Sequence, residues 1–154
     1  IIKTYEGRIR SSLNSSEQAR QNRKELNSFF KLLAKSLSDA NVKSLAGSDS
    51  GASNSYTYPG ISLHQELEAM VDAGISNLKA LQNSAYNGSQ FLKKDSDYGT
   101  VTAGKISDLV ILNSNPLDDI NNTRDIEFVI KGNDVFNPEI IANEVNCMEC
   151  IINK

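Results

Sequence analysis

Gly47-Ser48-Asp49-Ser50-Gly51 is the segment of this chain whose residue types most favour chemistry. Small residues on both sides of one carboxylate allow a tight turn and leave the acid reachable. The same residues are common turn formers, so an ordinary polar turn is the competing reading. Three chemistries can be tried on an acid so placed. In a nucleophile elbow of Gly-x-Asp-x-Gly form Asp49 attacks carbon, but the elbow wants a helix directly after the turn and here a loop of about nine residues intervenes. In a serine-nucleophile site Ser50 attacks with His64 as base, which would crowd the whole constellation onto one short stretch. In a metal-activated-water site Asp49 is ligand and proton acceptor at the end of a barrel strand, and it needs histidines from elsewhere.

The composition narrows these choices. The chain has 154 residues with 16 Lys and Arg, 19 Asp and Glu, one His and two Cys, for a formal charge of −3. Its length falls short of the ~200–250 residues of a complete (β/α)₈ barrel. One His and two Cys cannot furnish a three-histidine or four-ligand zinc centre. A mildly acidic chain with scattered Lys and Arg gives no basic face for nucleic acid. No apolar run approaches the ~18 residues that would span a membrane. The start, Ile1-Ile2-Lys3-Thr4, has neither Met nor a signal-peptide pattern, and the chain is expected to begin within a longer protein, its compartment unknown.

The elements that must position Asp49 follow from periodicity. Ser15-Ser16-Glu17-Gln18 offers a capping box, and Leu26, Phe29, Phe30, Leu33 and Leu37 recur on one helical face, which predicts a helix from about Glu17 to Leu37. Val42 to Ala46 is short and apolar, as a buried strand would be, and it delivers Asp49 just past its C-terminal end. Gly51 to Gly60 reads as a loop. Ser62-Leu63-His64-Gln65 reads as a cap for a helix with Leu63, Leu67, Met70 and Val71 on its apolar face, ending at Gly74 as its C′ residue. Ser76 starts a further helix, and a short continuation lies around Gln90-Phe91-Leu92. Beyond Tyr98 the pattern turns to short β runs at Thr100-Val101, Asp108–Leu112 and Ile126–Ile130, with a turn at Lys131-Gly132-Asn133-Asp134. So few strands need partners to cover their apolar side and pair their edges.

Five blocks of sequence, in order, carry a resemblance: Leu45-Ala46-Gly47-Ser48-Asp49-Ser50-Gly51; Pro59-Gly60-Ile61-Ser62-Leu63-His64-Gln65-Glu66-Leu67-Glu68; Val71-Asp72-Ala73-Gly74-Ile75; Gly99-Thr100-Val101-x-x-Gly104-Lys105-x-x-Asp108-Leu109-Val110; and Asn115-Pro116-Leu117-x-Asp119-Ile120. From about Ser44 to Asn133 the chain resembles the C-terminal third of a metal-dependent amidohydrolase, nearest to imidazolonepropionase-like and dipeptidase-like members. The resemblance implies an α/β fold: the C-terminal part of a (β/α)₈ TIM-type barrel, with part of a small β-sandwich domain. Residues 1–95 would be the last helices and eighth strand of the barrel, 96–136 strands of the sandwich, and 137–154 a tail.

The same resemblance implies a hydrolase of C–N bonds in cyclic amides or dipeptide-like substrates. It places Asp49 at the tip of the eighth strand, where it binds a divalent metal, zinc being the expected one, and takes a proton from the hydrolytic water. Ser50 and His64 are the candidates for the substrate mouth, with a plain helix-cap role the other reading of His64. Ser48 stands where many members carry Thr and keeps the hydroxyl. The family's other ligands, a His-x-His, a bridging Lys and later histidines, have no counterpart here, so the chain is expected to need an N-terminal part of its own enzyme and to be inactive alone. A non-catalytic scaffold serving self-association is the alternative. With helix faces and strand edges left uncovered, the isolated chain is expected to be poorly soluble or homo-oligomeric. Cys147-Met148-Glu149-Cys150 reads as a bland tail, Glu66 and Glu68 as a solvated helix edge.

Overall fold

A computed structural model describes residues 2–51 and 57–143. It is a mixed helix and strand structure in two compact units, Ile1–Ser84 and Ala85–Lys154. Cys147 and Cys150 lie outside the described residues. No helix among the described residues is long and apolar enough to cross a membrane.

The first unit is helical. Helix α1 spans Ile2–Leu13, and α2 spans Glu17–Asp39, two residues beyond its expected end. The capping register differs from the expected one by a residue. Ser16 is the N-cap, its Oγ accepting the Ala19 amide at 3.1 Å. Ser15 instead donates to the Ser12 carbonyl at 2.6 Å and accepts from the Arg23 guanidinium at 2.8 Å. The Ser15 hydroxyl is held by the end of α1, which leaves the next serine to satisfy the first free amides of α2.

The C-terminal end of α2 is tied down from the far side of the unit. The Lys79 ammonium donates to the Ser38 carbonyl at 2.6 Å and to Asn41 Oδ1 at 3.2 Å, placing a cation at the negative end of the helix. Lys31 also pairs with Asp72 of the next helix. The apolar stripe of α2 is nevertheless open to solvent. Leu26, Phe29 and Phe30 are more than half exposed, and Leu33 and Leu37 are exposed as well.

Val42 to Ala46, expected as a buried strand, is irregular. A strand requires a neighbouring backbone to fill its ladder. Here the Ala46 amide donates to the Asn83 carbonyl at 3.0 Å and the Val42 amide to the Leu37 carbonyl at 2.9 Å, partners that belong to helices and not to a strand.

Helix α3 spans Ile61–Asp72 and α4 spans Asn77–Ser84. Gly60 is the N-cap of α3, and Ser62, expected to cap, is buried in the first turn, with its Oγ accepting the Tyr58 amide at 2.7 Å. At the other end Gly74 is the C′ residue. Its amide donates to Val71 at 2.8 Å and the Ile75 amide to Met70 at 3.1 Å, the paired bonds of a Schellman motif. Gly74 has φ 92°, a conformation a side chain would resist. The motif turns the chain so that Ile75 and Ala80 are buried with Leu67 of α3, the apolar core of this unit among the described residues. Glu66 and Glu68 are half-buried and not on a solvated edge, Glu66 lying one turn after the buried Ser62.

In the second unit, α5 spans Tyr86–Phe91. Gly99 comes back close to it with φ 89°, and an added Cβ would strike the Ser89 side chain and approach Tyr86 Cα to 3.3 Å. Lys105 donates to the carbonyls of Asp95 and Tyr98 at 2.6 and 3.2 Å, which fixes the loop. Thr100-Val101 forms no strand, and Val101 is 86% exposed. Strands β1, Asp108–Leu112, β2, Ile126–Lys131, and β3, Asp134–Phe136, form one antiparallel sheet in that order. A bulge separates Ile111 from Leu112, and the β2–β3 hairpin turns at Gly132-Asn133 with Lys131 opposite Asp134. A 3₁₀ turn, Ile120–Arg124, links β1 and β2, is capped by Asp119 and buries Ile120. Both hydrogen bonds from Asn121, backbone first and side chain second, hold the Asp119 carboxyl below its usual range.

Two expectations about stability follow. Ser16→Ala should lower the unfolding free energy by about 1 kcal/mol, and Ser15→Ala by less, in urea melts followed by helical circular dichroism. A larger loss from Ser15→Ala than from Ser16→Ala would return the cap to Ser15. Gly99→Ala should cost roughly 2 kcal/mol or more, from overpacking added to an unfavourable φ. Gly88→Ala, on the neighbouring helix with open space around it, should cost nothing or stabilise by about 0.5–1 kcal/mol in the same melts.

Candidate functional site

The Gly47–Gly51 segment follows α2 and the irregular run 42–46, in the position expected for the acid, but it is not carried on a strand. Asp49 is exposed and has φ 49°. This left-handed conformation costs a residue with a side chain about 1–2 kcal/mol, least for Asn and Asp, whose short polar side chains bond locally. The flanking glycines do not supply the turn. Neither Gly47 nor Gly51 has a positive φ, and a Cβ at either would meet nothing within 4 Å. The acid itself takes the turning conformation.

Ser48 and Ser50, on either side, are half-buried, and their Oγ atoms lie 2.6 Å apart. Ser50, a candidate for substrate contact, is therefore already engaged with a neighbour. Ser48 was not among the expected site residues. The sequence signal that could have found it is the Ser-x-Ser pattern around the acid, since two hydroxyls spaced by one residue can meet only when that residue turns.

His64 stands on a separate element, in the first turn of α3, and is half-buried. Two residues on, burial pushes the Glu66 carboxyl above its usual range. Among the described residues no group of three or more His, Cys, Asp or Glu could hold a metal ion. The donor set therefore amounts to one presented carboxylate, too few for a structural or catalytic metal centre, which takes at least three protein ligands in the known zinc cases. A cleft of about 280 Å³ in the second unit is lined by residues from Thr100 to Leu109, with Lys105 its charged member. The Lys105 ammonium is committed to two backbone carbonyls, so the cleft carries no comparable chemistry.

Comparison with known proteins places these features in a family. Residues 7–137 match the model of the amidohydrolase family. Among solved structures, a putative prolidase from Bifidobacterium longum is 30% identical with a TM-score of 0.60, and the match covers 67% of this chain and 25% of that one. A Xaa-Pro dipeptidase with methionine bound in its active site is 25% identical with a TM-score of 0.50, over 56% of this chain and 21% of that one. The chain thus spans a quarter or less of the length of these two proteins. No curated protein matches it. Members of the matched family are generally metal-dependent. Since that match takes in α2, the Asp49 segment, α3 and the three-stranded sheet, the chain belongs to the amidohydrolase family.

Proposed function

We propose that this chain is part of a hydrolase that cleaves C–N bonds in dipeptide-like or cyclic amide substrates, with Asp49 as its acid–base residue. The observation that carries the reading is the family match across residues 7–137, within which Asp49 is the exposed carboxylate of the segment following α2. The names of the two structural relatives, a prolidase and a Xaa-Pro dipeptidase, favour the dipeptide-like side. Residues 1–95 correspond on this reading to the last helices of a (β/α)₈ barrel, with the irregular run 42–46 in the place of its eighth strand, 96–136 to part of a β-sandwich domain and 137–154 to a tail.

Asp49 accepts a proton from the water that attacks the substrate carbonyl, and passes it to the nitrogen as the C–N bond breaks. A carboxylate can serve as such a transient proton carrier. Ser50 and His64 border the substrate. The family's divalent metal, here proposed as zinc, has Asp49 as one ligand. With one His in the sequence and no ligand cluster among the described residues, its other ligands come from outside these 154 residues. The chain therefore works with an N-terminal part of its enzyme.

Two experiments test this. In the complete enzyme, Asp49→Asn should lower kcat for hydrolysis of Xaa-Pro dipeptides by on the order of 10²–10⁴-fold with the fold unchanged by circular dichroism. Turnover near the parent rate would remove Asp49 from the chemistry. The 154-residue chain, purified and assayed for metal by mass spectrometry, should carry well under one equivalent. Stoichiometric, tightly held zinc would show that the chain completes a site by itself.

A further inference from the structure

The hydroxyls of Ser48 and Ser50 explain how an acid can be held in a conformation that side chains avoid. In an extended chain, side chains at i and i+2 share a face but their Cα atoms are about 6.5 Å apart, too far for a short hydroxyl pair. The Oγ atoms of Ser48 and Ser50 are 2.6 Å apart because Asp49 between them has turned to φ 49°. The dependence runs both ways: the turn brings the hydroxyls together, and their hydrogen bond closes the turn. Ser48 and Ser50, which form this clasp, are half-buried while Asp49 between them is exposed.

We propose that Ser48 and Ser50 are positioning residues, whose mutual hydrogen bond holds Asp49 in its left-handed conformation and so directs its carboxylate. This deepens the acid–base reading of Asp49 and rests on it for its catalytic meaning. A carboxylate that takes a proton from one atom and delivers it to another must be aimed, and the hydroxyl pair fixes the backbone turn that carries it. Neither flanking glycine contributes, as their backbones do not take the turn. The hydroxyl pair uses the proton of one serine, and the accepting serine keeps its own. Ser50 in this way supports Asp49 as well as bordering the substrate.

The test reads the conformation of Asp49 directly, through its ¹³Cα and ¹³Cβ chemical shifts in the full 154-residue chain, with the methyl shifts of Leu67 and Ile75 reporting an intact core. Ser48→Ala and Ser50→Ala should each move the Asp49 shifts from left-handed toward extended values by the same amount. The double variant should go no further, because either change alone breaks the pair. Ser48→Thr and Ser50→Thr should keep the parent shifts. Asp49 shifts unchanged in either alanine variant, or effects that sum in the double variant, would overturn the clasp. In the complete enzyme Ser48→Ala should lower kcat toward the ~10²-fold loss that an ångström of misplacement brings, with KM little changed and rate restored by Ser48→Thr. If Asp49→Asn keeps full turnover, the acid–base reading fails, while the shift measurements still decide the clasp.

Discussion

The first unit hangs on the turn at Gly74. The Schellman pair of hydrogen bonds there, Gly74 to Val71 and Ile75 to Met70, reverses the chain between α3 and α4 and sets Ile75 and Ala80 beside Leu67. From α4 two further ties depend on that placement. Lys79 reaches the C-terminal carbonyl of Ser38, and the Asn83 carbonyl receives the Ala46 amide. Through these the end of α2 and the run that leads to Asp49 are held to the α3–α4 pair. A left-handed glycine thus governs a segment almost thirty residues upstream in the chain, by way of two hydrogen bonds to backbone.

Much of this was legible in local pattern, and the misses have a common cause. The periodicity of Leu26, Phe29, Phe30, Leu33 and Leu37 places α2 within two residues, since a helix satisfies its backbone internally. Gly74 as a C′ residue, the strands Asp108–Leu112 and Ile126–Lys131, and the turn at Gly132 also follow from nearby residues alone. Val42 to Ala46 does not, because a strand is a property of two segments and its neighbour decides it. Thr100-Val101 differs for the same reason. The choice of Ser16 over Ser15 was decided by the end of α1 and by Arg23, and the Ser62 hydroxyl is taken by the Tyr58 amide, none of which enters a four-residue capping pattern. Gly99 opens one of the family-like blocks, but its physical requirement, the close approach to Ser89 and Tyr86, becomes visible only when α5 and the following loop are placed.

The candidate site divides in the same way. That Asp49 is the reachable acid follows from its small neighbours. How it is presented does not, since the glycines suggested as the source of the turn leave it to Asp49 itself. Ser48, read in the sequence only as a hydroxyl retained in place of Thr, gains a role from its 2.6 Å approach to Ser50. A sequence names the groups present, whereas a short hydroxyl pair depends on one torsion angle between them.

Two deficits remain, of different chemistry and the same direction. The apolar stripe of α2 is open, although its spacing is that of a helix made to be covered. Asp49 is presented without the histidines that its proposed role requires, and the single His64 sits on α3, not in a ligand cluster among the described residues. An apolar stripe has no use for histidines and a metal ligand none for leucines, so neither deficit explains the other. One additional body of polypeptide that covers α2 and brings imidazoles to Asp49 would remove both. On the proposed reading of Asp49, the scarcity of histidine is not an objection to a metal-dependent hydrolase, because that reading draws the remaining ligands from elsewhere in the enzyme.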